Sequence, residues 1–153
     1  MLKKLFTLFT AVGIVLSCST TKSNQNPKGQ GIEGFVYEQI GNQMPSPDKP
    51  SSPGKPLQTH VFVYQLTHIS QVQQQSFNPI FTYVGTKLID SALTDGTGHF
   101  SISLPSGRYS LFVRRNNALF ANIYDIENNI CPVEVTANKW SEIKISVTDK
   151  AAF

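Results

Sequence analysis

Charge is scarce in this sequence. Asp, Glu, Lys and Arg make up only 15% of its 153 residues. Cysteine occurs twice, at Cys18 and Cys131, so a framework of several disulfides is excluded. No uninterrupted apolar run approaches the roughly 20 residues that a membrane-spanning helix needs. There is no His-Glu-x-x-His and no Gly-x-Ser-x-Gly, so neither a zinc-protease helix nor a nucleophile elbow is encoded. Histidine appears three times, at His60, His68 and His99. On one straight strand His60 and His68 would stand about 26 Å apart, too far to share a metal.

What is present begins with a targeting segment. Lys3 and Lys4 form a basic start, and residues 5–16 are apolar except for Thr and Gly. That length suits the core of a signal peptide, so residues 1–17 are set apart from the fold. The run ends Val15-Leu16-Ser17-Cys18, which resembles the bacterial lipobox. The resemblance implies that Cys18 is diacylated on sulfur and becomes the first residue of the mature chain. Two or three acyl chains, at about 0.8 kcal/mol per buried CH₂, make a lasting membrane anchor. Ser19 after the cysteine resembles the sorting pattern for an outer membrane, where the domain would face the periplasm or the cell surface.

Without the signal peptide the chain has eleven basic and ten acidic side chains, a net of +1. No basic patch with interleaved aromatics remains, which argues against nucleic acid as a partner. The one basic doublet, Arg114-Arg115, reads as a solvated strand end. Residues 18–30 hold no large apolar side chain after the cysteine, and read as a flexible tether. As a coil, residues 19–30 would hold the domain about 20 Å from the lipid surface.

The remainder, residues 31–150, reads as one all-β domain. Its signals are short alternating segments separated by Gly, Pro and Asn, the spacing of an antiparallel sandwich of seven to eight strands. Residues 31–39 open it, with Ile32, Gly34 and Val36 on one side and Glu33, Phe35 and Tyr37 on the other. Residues 59–67 are apolar on both faces, which predicts a central strand. Residues 69–78, with Gln71, Gln73, Gln74 and Gln75, read as an exposed loop or a short edge segment. Residues 80–93 give one or two strands with a break near Gly85, and residues 119–124, 130–136 and 140–148 give the rest.

The clearest pattern is residues 94–113. Phe100, Ile102 and Leu104 alternate with His99, Ser101 and Ser103; after Pro105-Ser106-Gly107, Tyr109, Leu111 and Val113 alternate with polar residues. This predicts a half-buried antiparallel hairpin with the Pro-Ser-Gly segment as its turn. Thr94-Asp95-Gly96, Phe100 and Leu104-Pro105-Ser106-Gly107 followed by Tyr109 resemble the carboxypeptidase regulatory-like domain. That family is similar to transthyretin, or prealbumin-like, and collagen-adhesin sandwiches. The resemblance covers residues 31–148 and implies a prealbumin-like or Ig-like sandwich. It is silent on activity. Some collagen-adhesin domains carry a crosslink from a lysine in the first strand; residues 31–39 contain none.

Two stretches attract functional readings. Residues 41–56 hold five of the nine prolines, and this length is more than a sandwich connection needs. Asn42, Gln43, Met44, Pro45 and Pro47 form either a recognition loop for a partner or glycan, or an Ω-like surface loop pinned by Met44. Residues 95–98 and 125–129 are rich in oxygen ligands, yet neither has the spacing of a known calcium loop. Cys131 lies beside Pro132 with no histidine near in sequence, so it reads as a semi-buried thiol and not a nucleophile. No catalytic residue, metal or cofactor is implied. The expected function is a non-enzymatic, lipid-anchored envelope accessory or binding module of unknown ligand, with an envelope protein or a glycan as the candidate partner. The alternative is a glycan-binding subunit of a nutrient-uptake system, using aromatics such as Tyr37, Tyr83, Phe120, Tyr124 or Trp140.

Overall fold

A computed structural model of the chain describes residues 29–42, 54–76 and 79–152. These residues form an all-β sandwich of two sheets. The strands are β1 (Gly31–Asn42), β2 (Lys55–Pro56), β3 (His60–Gln65), β4 (Val72–Gln74), β5 (Ile80–Val84), β6 (Leu88–Leu93), β7 (His99–Ser103), β8 (Gly107–Arg115), β9 (Ala118–Phe120), β10 (Pro132–Val135) and β11 (Trp140–Ala152). A single 3₁₀ turn, Ile69–Gln71, precedes β4. Of the eleven, β2, β4 and β9 are three residues or shorter, which leaves eight longer strands.

The small sheet is built on β1. Strand β11 lies along one edge of β1 in parallel, while β7 and then β2 share the other edge antiparallel. The large sheet runs β4-β5-β9-β8-β3-β6, with β10 pairing the first part of β8. Among the described residues β1–β11 is the one parallel pair, a departure from the all-antiparallel expectation. The two strands are the first and last of the described elements in chain order, so the whole fold serves as the crossover that a parallel pair requires.

The predicted hairpin at residues 94–113 is not formed. β7 pairs β1 in the small sheet, and β8 pairs β3, β9 and β10 in the large one. Pro105 and Ser106 carry the chain from one layer to the other. All six alternating side chains are nonetheless buried: Phe100, Ile102, Leu104, Tyr109, Leu111 and Val113 face one core from opposite sides. Period-two alternation reports which face is buried, and the inner faces of two packed sheets give the same signal as a hairpin.

The core also takes Ile32 and Val36 from β1, Val61 and Val63 from β3, and Ile145 and Val147 from β11. β3 is central, between β6 and β8, as its composition predicts. β8 departs from simple alternation, since Tyr109 to Val113 are all buried. On its outer side Phe112 packs edge-to-face against Tyr64 and Phe81, with centroids 5.4 and 5.6 Å away. Ser110 is buried because its hydroxyl accepts the Thr67 N–H at 2.9 Å.

Side chains tie the turns to the sheets. Gln30 is 7% exposed; its amide donates to Leu104 O and Ser106 Oγ and accepts from Asn138 N. The folded unit therefore starts inside the segment read as tether. Thr94 donates to the carbonyls of Leu57 and Thr59, fixing the turn before β7. In that turn Asp95 Oδ1 accepts from Thr97 N, Thr97 Oγ1 and His99 N. Gly98 has φ +79, and a Cβ there would collide with the carbonyl of Val36.

One end of the core is closed by ions. Glu38 and Arg115 continue the inward-facing series Ile32, Gly34, Val36 and Leu111, Val113 of their strands. Asp149 follows Ile143, Ile145 and Val147 at a register irregularity of β11 opposite Glu38 and Ile40. Arg115 bonds Glu38 and, at 2.7 Å, Asp149, while Lys150 approaches Glu38 at 3.5 Å. The three side chains are only 11–18% exposed. The hydrogen bond to Asp149, followed by that to Glu38, holds Arg115 still more firmly protonated than usual. Arg115 is thus not the solvated strand end that the sequence predicts; Arg114 is exposed and lies over the Phe62 ring.

Removing one member of a partly buried ion cluster strands the others. Arg115→Met should lower unfolding free energy by about 3 kcal/mol in chemical denaturation. Adding Glu38→Leu and Asp149→Leu should recover most of that loss, because all three charges then leave together.

Candidate functional site

Of the residues singled out from sequence, Cys18, Gln43, Met44, Pro45 and Pro47 lie outside the described residues, as do the signal peptide and most of the tether. Asn42 is the last residue of β1, in register with Ala152.

The other candidates are dispersed. His60 and Phe62 stack on the outer face of the large sheet. His68 caps the 3₁₀ turn, its Nδ1 accepting from Ser70 N. His99 lies on the small sheet. Cys131 is 2% exposed, and burial pushes its thiol pKa up to about 12, so at neutral pH it is protonated and sealed. In the acidic loop Asp125 accepts from the N–H groups of Glu127 and Asn129, the Asn129 amide and Arg108. Its oxygens are committed to holding the loop. No group of three or more His, Cys, Asp or Glu able to hold a metal occurs among the described residues. Of the aromatics considered for ligand stacking, Phe120 is fully buried in the core. Tyr83, on β5 of the large sheet, and Tyr124, in the loop before β10, are 56% and 41% exposed.

Tyr37 and Trp140 do share a surface. Strand alternation sends Ile32 and Val36 inward, so Glu33, Phe35 and Tyr37 point outward. Register then fixes their neighbours. Ser101 and Glu142 flank Glu33, His99 and Lys144 flank Phe35, Ser146 lies beside Tyr37, and Trp140 lies beside Gly31. Gly31 leaves room for the indole; a Cβ there would stand 2.8 Å from its Cζ3.

The rings form an open apolar strip. Phe35 and Tyr37 have centroids 6.1 Å apart and planes within 24°. The His99 ring packs 5.1 Å from Phe35. The Lys144 ammonium lies 5.0 Å from the Tyr37 ring centre, in cation–π geometry. Phe35 is 41% exposed and Trp140 37%. An open depression of about 500 Å³ is lined by Glu33, Gly34, Phe35, His99, Glu142, Ile143 and Lys144. Among the described residues the His99 ring makes no hydrogen bond to either carboxylate, so no acid–base pair is assembled.

Sequence reasoning marked Tyr37 and Trp140 but missed Phe35, His99 and the two carboxylates as their neighbours. The outward series Glu33, Phe35, Tyr37 was legible; the parallel register with β11 that adds Trp140, Glu142 and Lys144 was not.

Compared with known proteins, the chain matches no family model, no curated protein and no solved structure. The resemblance to carboxypeptidase regulatory-like domains rests on the motifs of residues 31–148 alone.

The two turn aspartates carry a pH signature. Asp95 is held below the usual carboxylate range by the Thr97 hydroxyl and the His99 and Thr97 N–H groups, and Asp125 chiefly by the Asn129 amide. A lowered folded-state pKa adds stability above the unfolded value, near 3.9, that is lost as pH falls through the folded value. Asp125→Asn should therefore be less stable than wild type at pH 7. The gap should close below about pH 4 in denaturant titrations across pH.

Proposed function

We propose that this chain is a non-enzymatic binding module held in the cell envelope by lipid on Cys18. Its ligand surface is the outer face of the small sheet, and its ligand is a glycan. One observation carries the reading: Phe35 and His99 line an open depression with the carboxylates Glu33 and Glu142, which form no ion pair, and Tyr37 and Trp140 stand on the same outer face in the rows on either side. Ring faces pack against the C–H faces of sugars, and carboxylates accept hydroxyl hydrogen bonds. The absence of catalysis is part of the proposal. It is supported by the sealed Cys131 thiol and by three histidines committed to separate places.

The resemblance to carboxypeptidase regulatory-like domains fits this reading, since such sandwiches serve as accessory modules. The lipobox resemblance at Cys18 supports anchoring, and Ser19 favours the outer membrane. A second reading, an envelope-protein partner, is favoured by edge strand β6. Leu88, Ile89 and Leu93 there are 45%, 37% and 55% exposed, and a partner strand can extend such an edge.

Two experiments test these statements. Cys18→Ala should shift the protein from membrane to soluble fractions and remove the acyl mass; unchanged partitioning refutes the anchor. Phe35→Ala and Trp140→Ala should each weaken binding to purified envelope polysaccharide about tenfold, in line with the loss of one aromatic contact. Binding that persists in the double variant refutes the face.

A further inference from the structure

The geometry points to a more definite ligand: a glycan whose sugars carry free ammonium groups. This rests on the glycan reading above and deepens it. Glu33 and Glu142 are register partners on adjacent parallel strands and face the same side. Like charges directly opposite each other on one sheet face repel. Among the described residues neither carboxylate forms an ion pair. The nearest candidate on the face, Lys144, lies over the Tyr37 ring.

Position along the strands gives the pair its meaning. Successive outward rows are two residues apart, about 6.6 Å. Trp140 occupies one row, Glu33 and Glu142 the next, Phe35, His99 and Lys144 the third, and Tyr37 the fourth, where the Lys144 ammonium is directed. The anionic row therefore lies between two aromatic rows. A chain of sugars stacked on Trp140 and Phe35 must cross Glu33 and Glu142. An ammonium substituent at that crossing relieves the carboxylate repulsion and donates charge-assisted hydrogen bonds. A divalent metal ion fits less well, because calcium or magnesium takes six or more oxygen ligands and the face offers two carboxylates.

The test uses Trp140, the only tryptophan in the sequence, as a fluorescent reporter. The full chain is titrated at pH 6 with the hexamer of β-1,4-linked glucosamine and with its fully N-acetylated counterpart. The free-amine oligomer should bind at least about tenfold more tightly, and added salt should narrow the gap. The double variant Glu33→Gln/Glu142→Gln should bind both oligomers with the weaker affinity and melt no lower than wild type. Equal affinity of the wild type for the two oligomers overturns the ammonium assignment and leaves the glycan face standing. So does binding of other neutral glycans while the free-amine oligomer fails. Failure of every glycan overturns both statements. A lysine homopolymer that binds as tightly as the amino-sugar oligomer overturns the assignment in favour of a basic protein segment.

Discussion

The register of β1 is the constraint on which the rest depends. This strand has one face in the core and the other in water, and both edges are paired. A slip of one residue would drive Glu33, Phe35 and Tyr37 into the core and turn Ile32 and Val36 out. Two features prevent it. Parallel pairing with β11 extends from Gly31 to Asn42. At Gly34 the backbones come so close that a Cβ would collide with the Ile143 carbonyl, so no other residue fits that place in the ladder. The register that buries Ile32 and Val36 also composes the outer face, because it sets which side chains of β7 and β11 stand beside Phe35.

The sequence was most legible where periodicity meets punctuation. The alternation around Phe100 and Leu111, the central character of β3 and the break near Gly85 all follow from local pattern. Asn116 and Asn138, in the turns after β8 and β10, adopt positive φ. The partner of each strand was not legible. β7 and β8 look like a hairpin because their inner faces share a core, but β7 pairs with the distant β1, and β8 pairs with β3 and β10 as well as with the adjacent β9. The double burial of β8 was hidden for the same reason. Phe112 is covered by Tyr64 and Phe81, contacts that no window around residue 112 contains. The candidate face was half legible: β1 supplied its central residues, and only the parallel pairing with β11 brought Trp140, Glu142 and Lys144 to them.

The ion cluster shows how the same alternation is used at the end of the core. The inward series of β1 and β8 finish in Glu38 and Arg115, and Asp149 follows that of β11 at its register irregularity. Apolar side chains there would tolerate sliding of one sheet across the other. An arginine that must meet two carboxylates tolerates little, since its donors lie in a fixed fork. Its net contribution to stability is small once desolvation is counted. Its structural effect is to fix how β8 crosses β1 and β11. It lies at the end of β1 away from Trp140, so the alignment that it enforces keeps the outer face in order without taking part in it.

That outer face departs from two general tendencies of folded proteins. Large rings are kept in water, where burial of each would contribute about 1.5–3 kcal/mol. Like charges stand opposite each other when a lysine at position 33 or 142 would have attracted its partner. Elsewhere the chain is thrifty: buried side-chain polar atoms are satisfied among the described residues, and Arg108, Arg115 and Lys150 all meet carboxylates. Local departures from good packing and charge pairing concentrate where a protein meets something else. Under the proposed function, one ligand covering the rings and neutralising the pair would offset the cost of leaving Phe35 and Trp140 exposed and Glu33 opposed to Glu142.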